Sequence, residues 1–543
     1  MLSNLNREDR GLTFLGNDDP VHVTFSGLEA VTDDLARRWA GLGVQRGDRV
    51  MLIIVDEREF AVAFLSALRA GVVAVPMFPP FILGQLDAYY TAVRRICQVS
   101  GATRCLVSQP LRSLLSNAGL ERPVSVLEDL VTATPGTVGT PAPADPAFLQ
   151  FSSGSTGDPK GAVISHRSLL ANSYAIGRHG LGVDGEIDRA VSWLPLYHDM
   201  GLIGLLITAV LEQVGTWYLP PLRFARDPMS WPRLMSDIQA TLSFAPNFAY
   251  GLVTRRVTDE ALAELDLSRW RVAGCGAEPV RADTLRAFAD RFAAAGFRAS
   301  SLMPAYGLAE ATLAVALTRC DAGMTTLTVN ADLLAAEGRV ALIDVDAGHA
   351  RKTELVSCGP PVHGMEVRVL DQAGSVCAES QEGELVVRGE SLADGYFGDP
   401  DRSAQTWRDG WLHSGDTGFV YEGQLYVTGR IKDLIVVNGR NHQPQDIEWV
   451  AGQVPGVRVG NVVALPVPGD DTEGVRVVLE ASQGTVAEDL ARQVRQAVSR
   501  RFGLLVHDVV VLPREGLPKT SSGKLRRSHT ASLLEDGLLV GRG

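Results

Sequence analysis

The chain has 543 residues, 45% of them apolar and 21% charged, with a formal net charge of −12. That length calls for several domains or subdomains, and the composition is that of an ordinary globular protein. The acidic balance argues against a chain that wraps a nucleic-acid backbone, which needs a basic face.

In chain order, Phe25–Gly43 reads as an amphipathic helix with Ser26 as its N-cap. "DRVMLIIVD" reads as a buried strand, "FAVAFLSALRAG" as a helix ended by Gly71, and "VVAVPMFPP" as a strand running into a proline stop. A similar unit recurs at "TRCLVS". Strands separated by helices predict parallel pairing with helical crossovers. Residues 132–146, "TATPGTVGTPAPADP", form a Pro/Gly/Thr-rich linker. Alternation resumes with the strands "LSFAPN" and "WRVAGCG" and with a helix in "VRADTLRAFADRFAAAG", capped by Gly296. From about residue 356 the pattern changes to short strands with frequent glycine turns, as in a β-rich barrel or sandwich. The tail reads as a small α+β domain with a helix over Glu488–Phe502. The expected fold is thus α/β and multidomain: a large N-terminal part over 1–430 with parallel α/β subdomains and a β-rich part at about 356–430, then a small α+β domain over 434–543. From Asp433 onward 13 basic residues meet 13 acidic ones, so the whole net charge lies before it. The tail is therefore relatively basic, which suits either a solvated surface or an acidic partner.

Six scattered cysteines form no CxxC and no zinc spacing, so reduced thiols in a cytoplasmic protein are expected. The N-terminus lacks the apolar core of a signal peptide. The strongest apolar run, Gly201–Leu211, is short of the ~20 residues of a membrane span.

Several strings could carry chemistry. "FSSGSTGDPKG" offers hydroxyls and unhindered backbone N–H groups at Ser152, Ser153, Gly154, Ser155, Thr156 and Gly157, and a cation at Lys160. Such concave runs of donors bind phosphate oxygens, although a Gly/Ser loop between strands is equally a plain hairpin. It is not the GxxxxGK[ST] loop. "GCGAEPV", with Ala277, Glu278 and Pro279, ends an apolar strand, where glycines let a ligand approach the backbone or merely make a tight turn. "AYGLAEAT" presents Tyr306 and Gly307, with Glu310 able to hold Mg²⁺, which takes one or two carboxylates plus phosphate oxygens; a structural helix start explains it equally well. In "WLPLYHDMGLIG", His198 and Asp199 are either polar groups at the mouth of an apolar pocket or ordinary hydrogen-bonding partners. Asp416 lies between glycine turns and could accept bonds from ribose hydroxyls, and Arg430 ends the β-rich region. "PKTSSGKLRR" puts two lysines, one of them Lys524, in a basic loop near the end.

In this order and spacing the strings resemble the adenylate-forming superfamily of acyl-CoA synthetases, adenylation domains and luciferases, from about Thr24 to Arg527. Within it the chain is most similar to the fatty acyl-AMP ligases. "SWLPLYHDMGLIG" is similar to their acyl-pocket motif, and "GRNHQPQDIE" to their segment after the hinge, with Gln443 where tyrosine is commoner. Thr325–Glu354 looks like their extra segment. The resemblance implies two half-reactions: a carboxylate attacks the α-phosphorus of ATP, and the acyl group then passes to the phosphopantetheine thiol of a separate acyl carrier protein, in lipid, polyketide or lipopeptide synthesis. No carrier module follows the last motif, which fits a separate acceptor. It implies that Ser152–Lys160 bind the β,γ-phosphates and that Ala277, Glu278 and Pro279 line the adenine site, with Tyr306 and Gly307 beside them. Asp416 and Arg430 would bind the ribose, and Glu310 would hold Mg²⁺. Lys432, within 431–433, would be the hinge of a mobile tail domain. Lys524, with His198 and Glu310, would be catalytic.

The chemistry agrees with these roles. An ionised carboxylate needs no general base, so positioning and charge stabilisation carry the first step. Three rivals remain at this stage: an acyl-CoA synthetase, an enzyme for aryl or amino acids, and a non-catalytic nucleotide-binding protein. Phe244 and Ala245 stand where an amine-binding acid would be expected.

Overall fold

The structure is a computed structural model and describes residues 5–16, 19–80, 86–137, 139–152, 159–343, 351–437, 440–467, 474–519, 525–539 and 541. Among these, two large sheets dominate the first 320 residues. One has six strands in the spatial order Val124–Val126, Arg104–Val107, Arg49–Ile53, Val73–Pro76, Pro146–Ser152, Lys160–Ser165. All its pairs are parallel except the last, an antiparallel hairpin. The other has eight strands, with Leu302–Gly307, Val272–Cys275, Leu242–Ala245, Arg189–Ser192 and Gly215–Tyr218 parallel at its centre and antiparallel pairs at both ends.

The helices form where the apolar spacing predicts, with identifiable stops. Helix Glu57–Ala70 starts on Asp56, whose side chain accepts from the Glu59 N–H. It ends at Gly71, whose φ of +65° suits a residue without Cβ. Ten of its fourteen residues are buried, so it lies inside the core rather than on it. Helix Phe25–Arg38 is capped not by Ser26 but by Thr24, which is extended and accepts from Gly27 N at 3.1 Å. The competing signal is strand Val21–Thr24, which brings the chain to the helix two residues earlier. Helix Ala282–Phe292 passes through a short 3₁₀ turn to Gly296, at φ +82°. The apolar run Met200–Ile207 is a π-helical segment continued by helix Thr208–Leu211, buried between the sheets with Phe60, Phe64, Phe148 and Tyr218. Among the described residues no helix is long and apolar enough to cross a membrane.

Beyond these sheets, Thr326–Asn330 and Lys352–Val356 pair as an antiparallel ribbon around helix Ala331–Glu337, overlapping the extra segment Thr325–Glu354 read from the sequence and running two residues past it. A five-stranded antiparallel sheet follows, containing Met365–Leu370, Gly383–Gly389, Trp411–Tyr421 and Gln424–Arg430. The tail has a three-stranded sheet of Val457–Val467, Gly474–Ala481 and Val506–Leu512, with helices Pro444–Gly452, Ala487–Phe502 and Arg527–Glu535. A short hairpin, Ile435–Val437 with Arg440–His442, precedes them. The six cysteines are free.

Candidate active site

The strands that flank the Gly/Ser run of "FSSGSTGDPKG", Pro146–Ser152 and Lys160–Ser165, pair antiparallel with Ser152 opposite Lys160, as the hairpin reading expects. Ser153, Gly154, Ser155, Thr156 and Gly157 lie outside the described residues, as does Lys524. Lys160 stands at the base of the hairpin with its Nζ 5.2 Å from the centroid of the Tyr396 ring. Burial and the nearby Arg402 guanidinium push its ammonium below the usual lysine range.

The strands of the eight-stranded sheet end at the same place. Phe244 lies so close to Gly274 that a Cβ there would fall 2.1 Å from its ring. Three residues on, Ala277 takes φ +67°, a left-handed conformation that costs a residue with a Cβ about 1 kcal/mol or more. Glu278 does not point freely into the cleft; its Oε1 accepts from Phe248 N at 2.6 Å, at the N-terminal turn of helix Asn247–Arg256. Tyr306 donates to Asp416 Oδ2 at 2.6 Å, and Arg430 Nε donates to Asp416 Oδ1 at 2.9 Å. Cross-strand pairing supplies the second contact, since Asp416 and Arg430 are register partners. Burial and the Asp416 charge push the Tyr306 phenol well up, so it stays a donor. Gly307 is required by close approach: a Cβ there would lie 1.9 Å from the Leu313 carbonyl oxygen.

Glu310 sits in the 3₁₀ turn Ala309–Ala311. Thr312, at φ +68° and ψ −62°, closes a three-residue γ-turn in which Leu313 N donates to Ala311 O at 2.9 Å. This strained form is rare, and a buried bond from Thr312 Oγ1 to Ser391 O at 2.6 Å helps hold it. Glu310 Oε1 accepts from the Tyr396 hydroxyl at 2.7 Å. His198 pairs through Nδ1 with Asp199 Oδ1 at 2.6 Å, and Met200 N donates to the same oxygen at 2.8 Å.

A cleft of about 1540 Å³ joins all of this. Lys160, His198, Ala277–Pro279, Tyr306, Gly307, Glu310, Asp416, Arg430 and Lys432 all line it. Ile176, Met200, Phe244, Phe248, Leu313 and Leu317 give it an apolar wall. The tail closes the other side with Asp446, Trp449, Lys519 and Arg526. Lys432 lies in the 3₁₀ turn Ile431–Asp433, where the β-rich sheet passes into the tail. Among the described residues no group of three or more His, Cys, Asp or Glu could hold a metal by itself. A cation at Glu310 would therefore take most of its ligands from phosphate and water, which suits Mg²⁺.

Two residues at this site carried no sequence signal, and a third stood out only as part of the basic string "PKTSSGKLRR". Tyr396, in "ADGYFGDP", is one. Arg281 is the second: it ion-pairs with Asp446 at 2.8 Å, donates to Gln445 O at 2.9 Å and lies 5.5 Å from the Trp449 ring centroid, so the α/β part grips the first tail helix. The third is Arg527, which binds Glu448 through Nε (2.7 Å) and Nη2 (2.8 Å) and Asp433 through Nη1 (2.6 Å). Each works through partners more than 75 residues away, where no local pattern reaches.

The family described as AMP-binding enzyme matches residues 5–397. A protein of Caulobacter vibrioides (strain NA1000 / CB15N), named provisionally as an acyl-CoA synthetase, is 37% identical over 505 residues, covering 91% of this chain and 87% of that one. The medium-chain-fatty-acid–[acyl-carrier-protein] ligase JamA of Moorena producens (strain JHB) is 34% identical over 519 residues, covering 91% and 87%. A solved structure from studies of fatty acyl-adenylate ligases of E. coli and L. pneumophila superposes with a TM-score of 0.93 at 34% identity, covering 99% of this chain and 97% of that one.

Proposed function

The chain belongs to the AMP-binding enzyme family as an acid–AMP ligase, and from that premise we propose that it activates a fatty acid with ATP and passes the acyl group to the phosphopantetheine thiol of an acyl carrier protein. The observation that carries this reading is the convergence on one cleft of Lys160, the Glu310 carboxylate and the Asp416–Arg430 pair, facing an apolar wall with no acidic side chain at Phe244 or Ala245.

In the first half-reaction a carboxylate oxygen bonds to the α-phosphorus, the bond to the β-phosphate oxygen breaks, and pyrophosphate leaves. Ser152, Ser153–Gly157 and Lys160 hold the β,γ-phosphates. Ala277, Glu278 and Pro279 border the adenine with Tyr306 and Gly307, and the Asp416 carboxylate with Arg430 receives the ribose hydroxyls. Glu310 is the residue that would hold Mg²⁺, which supplies positive charge against the polyphosphate. His198, fixed by Asp199, marks the mouth of the acyl pocket beside the apolar wall. Lys524 bridges carboxylate and α-phosphate; removing one such donor costs roughly 3–4 kcal/mol, or about 10²–10³ in rate. Rotation of the tail about Lys432 then clears the lysine and admits the thiol. In the second half-reaction the thiolate attacks the acyl carbonyl and AMP leaves.

The test is pyrophosphate release with ATP and straight-chain acids of graded length, followed by addition of holo carrier protein or CoA. Acid-dependent pyrophosphate release and thioester on the carrier alone support the reading. A stoichiometric acyl-CoA product would favour the second reading, an acyl-CoA synthetase, which the name of the Caulobacter relative keeps in play. No release with any fatty acid would refute the substrate class.

A further inference from the structure

Tyr396 touches both charged residues at the phosphate end of the cleft. It lies on a segment that runs beside strand Lys160–Ser165: Val163 N donates to Gly395 O at 2.9 Å, Phe397 N to Gly161 O at 2.8 Å, and Ala162 bridges Tyr396. This pairing sets the ring beside Lys160 without any sequence proximity. The ring is held from behind by Trp407, edge-on at 5.1 Å, and its backbone N–H donates to Ser403 Oγ at 2.8 Å. The hydroxyl then reaches Glu310 Oε1 at 2.7 Å, and the ring lies 5.2 Å from the Lys160 ammonium.

Two physical consequences follow. A carboxylate with one oxygen occupied by a fixed donor presents the other in one direction. A lysine amine on a four-carbon stem loses rotamer freedom when it binds an anion, and an aromatic face that seats it beforehand reduces that loss.

We propose that Tyr396 is a positioning residue that couples the carboxylate holding the cation to the lysine holding the phosphates, aiming Glu310 through its hydroxyl and Lys160 through its ring. The proposal rests on the functional reading given above for Glu310 and Lys160. It separates two effects that reside in one side chain. Phenylalanine keeps the ring under Lys160 and removes the donor to Glu310. Leucine removes both.

The experiment is calorimetric titration of the full chain with α,β-methylene-ATP, with and without Mg²⁺, for wild type, Glu310→Gln, Tyr396→Phe and Tyr396→Leu. The wild type should bind more tightly with Mg²⁺, and Glu310→Gln should lose that gain. Tyr396→Phe should lose about tenfold of the gain, as expected for a bond to a charged acceptor, with Mg²⁺-free affinity unchanged. Tyr396→Leu should in addition bind several-fold more weakly without Mg²⁺. Full Mg²⁺ gain in Tyr396→Phe, with Glu310→Gln losing it, overturns this inference and leaves the functional reading standing. Full gain in Glu310→Gln overturns both. Because Tyr396→Phe preserves the ring packing, it decides the hydroxyl's role even if Tyr396→Leu melts early.

Discussion

Replacing Asp416 by alanine tests the nucleotide half of the site most directly. The Asp416 side chain is 7% exposed and ties Tyr306 (2.6 Å) and Arg430 (2.9 Å) together on two different oxygens. If its carboxylate also receives a ribose hydroxyl, one bond to a charged acceptor is lost, about 1.5–3 kcal/mol, or roughly 10- to 150-fold in ATP affinity. The fold pays separately: the Tyr306 hydroxyl loses its bond to Asp416, worth about 1–3 kcal/mol, whereas Arg430 is 64% exposed and is re-solvated. Titration with α,β-methylene-ATP reads the first effect and thermal melting the second. Tyr306→Phe provides the control, because it leaves the carboxylate in place. It should lower affinity far less than Asp416→Ala. An Asp416→Ala chain that binds the nucleotide within threefold of wild type would refute the ribose assignment. Equal losses in the two variants would mean that Asp416 acts only by holding Tyr306.

Three further outcomes are expected. Arg281→Ala removes an ion pair, a bond to the Gln445 carbonyl and a ring contact with Trp449 between the α/β part and the tail; partial exposure limits their joint worth to about 1–2 kcal/mol, so proteolysis within residues 431–443 should quicken several-fold, and an unchanged digestion rate would count against the clasp. Gly307→Ala puts a Cβ 1.9 Å from a backbone oxygen that no rotamer change can move, so a melting study should show a loss of at least about 1–3 kcal/mol, and wild-type stability would disprove the contact. Buried His166, whose Nε2 has no partner among the described residues, and buried His442 are both pushed down to about 4 by burial. The unfolded chain therefore binds the extra proton first, and each histidine should cost up to about 1.4 kcal/mol of stability per pH unit as pH falls from about 6.5 towards 4. Glu57, pushed up to about 7 by burial, acts oppositely between about 4.5 and 7, so the clean measurement is urea unfolding of His166→Gln against wild type, whose curves should converge on acidification; parallel curves would refute the assignment.

Much of this was legible in the chain itself. Alternating apolar runs and helical spacing located strands such as Arg49–Ile53 and Val272–Cys275 and helices such as Glu57–Ala70, because burial on a sheet or a helix face leaves a short-period pattern. Gly71 and Gly296 mark helix ends because each turn needs a positive φ. The strings around Lys160, Tyr306, Glu310 and Asp416 were visible because they set small residues beside polar ones, the pattern that a ligand lying close to backbone would require. Other features left no local trace. The cap at Thr24 rather than Ser26 depends on where the preceding strand delivers the chain, and Glu278 is spent on a helix N-terminus that only the fold brings beside it.

The sequence by itself determined the family, the α/β order and the residue types that gather along the cleft, since these reside in short patterns that backbone geometry and charge impose. The tertiary structure alone decided how those residues are aimed. Strand register sets Asp416 beside Arg430, but Asp416 reaches Tyr306 across 110 positions and between two sheets, and Tyr396, bridged to Ala162, reaches Glu310 across 86. Register is a cooperative property of whole sheets, so a window of sequence can name the groups but cannot say which two will share a proton.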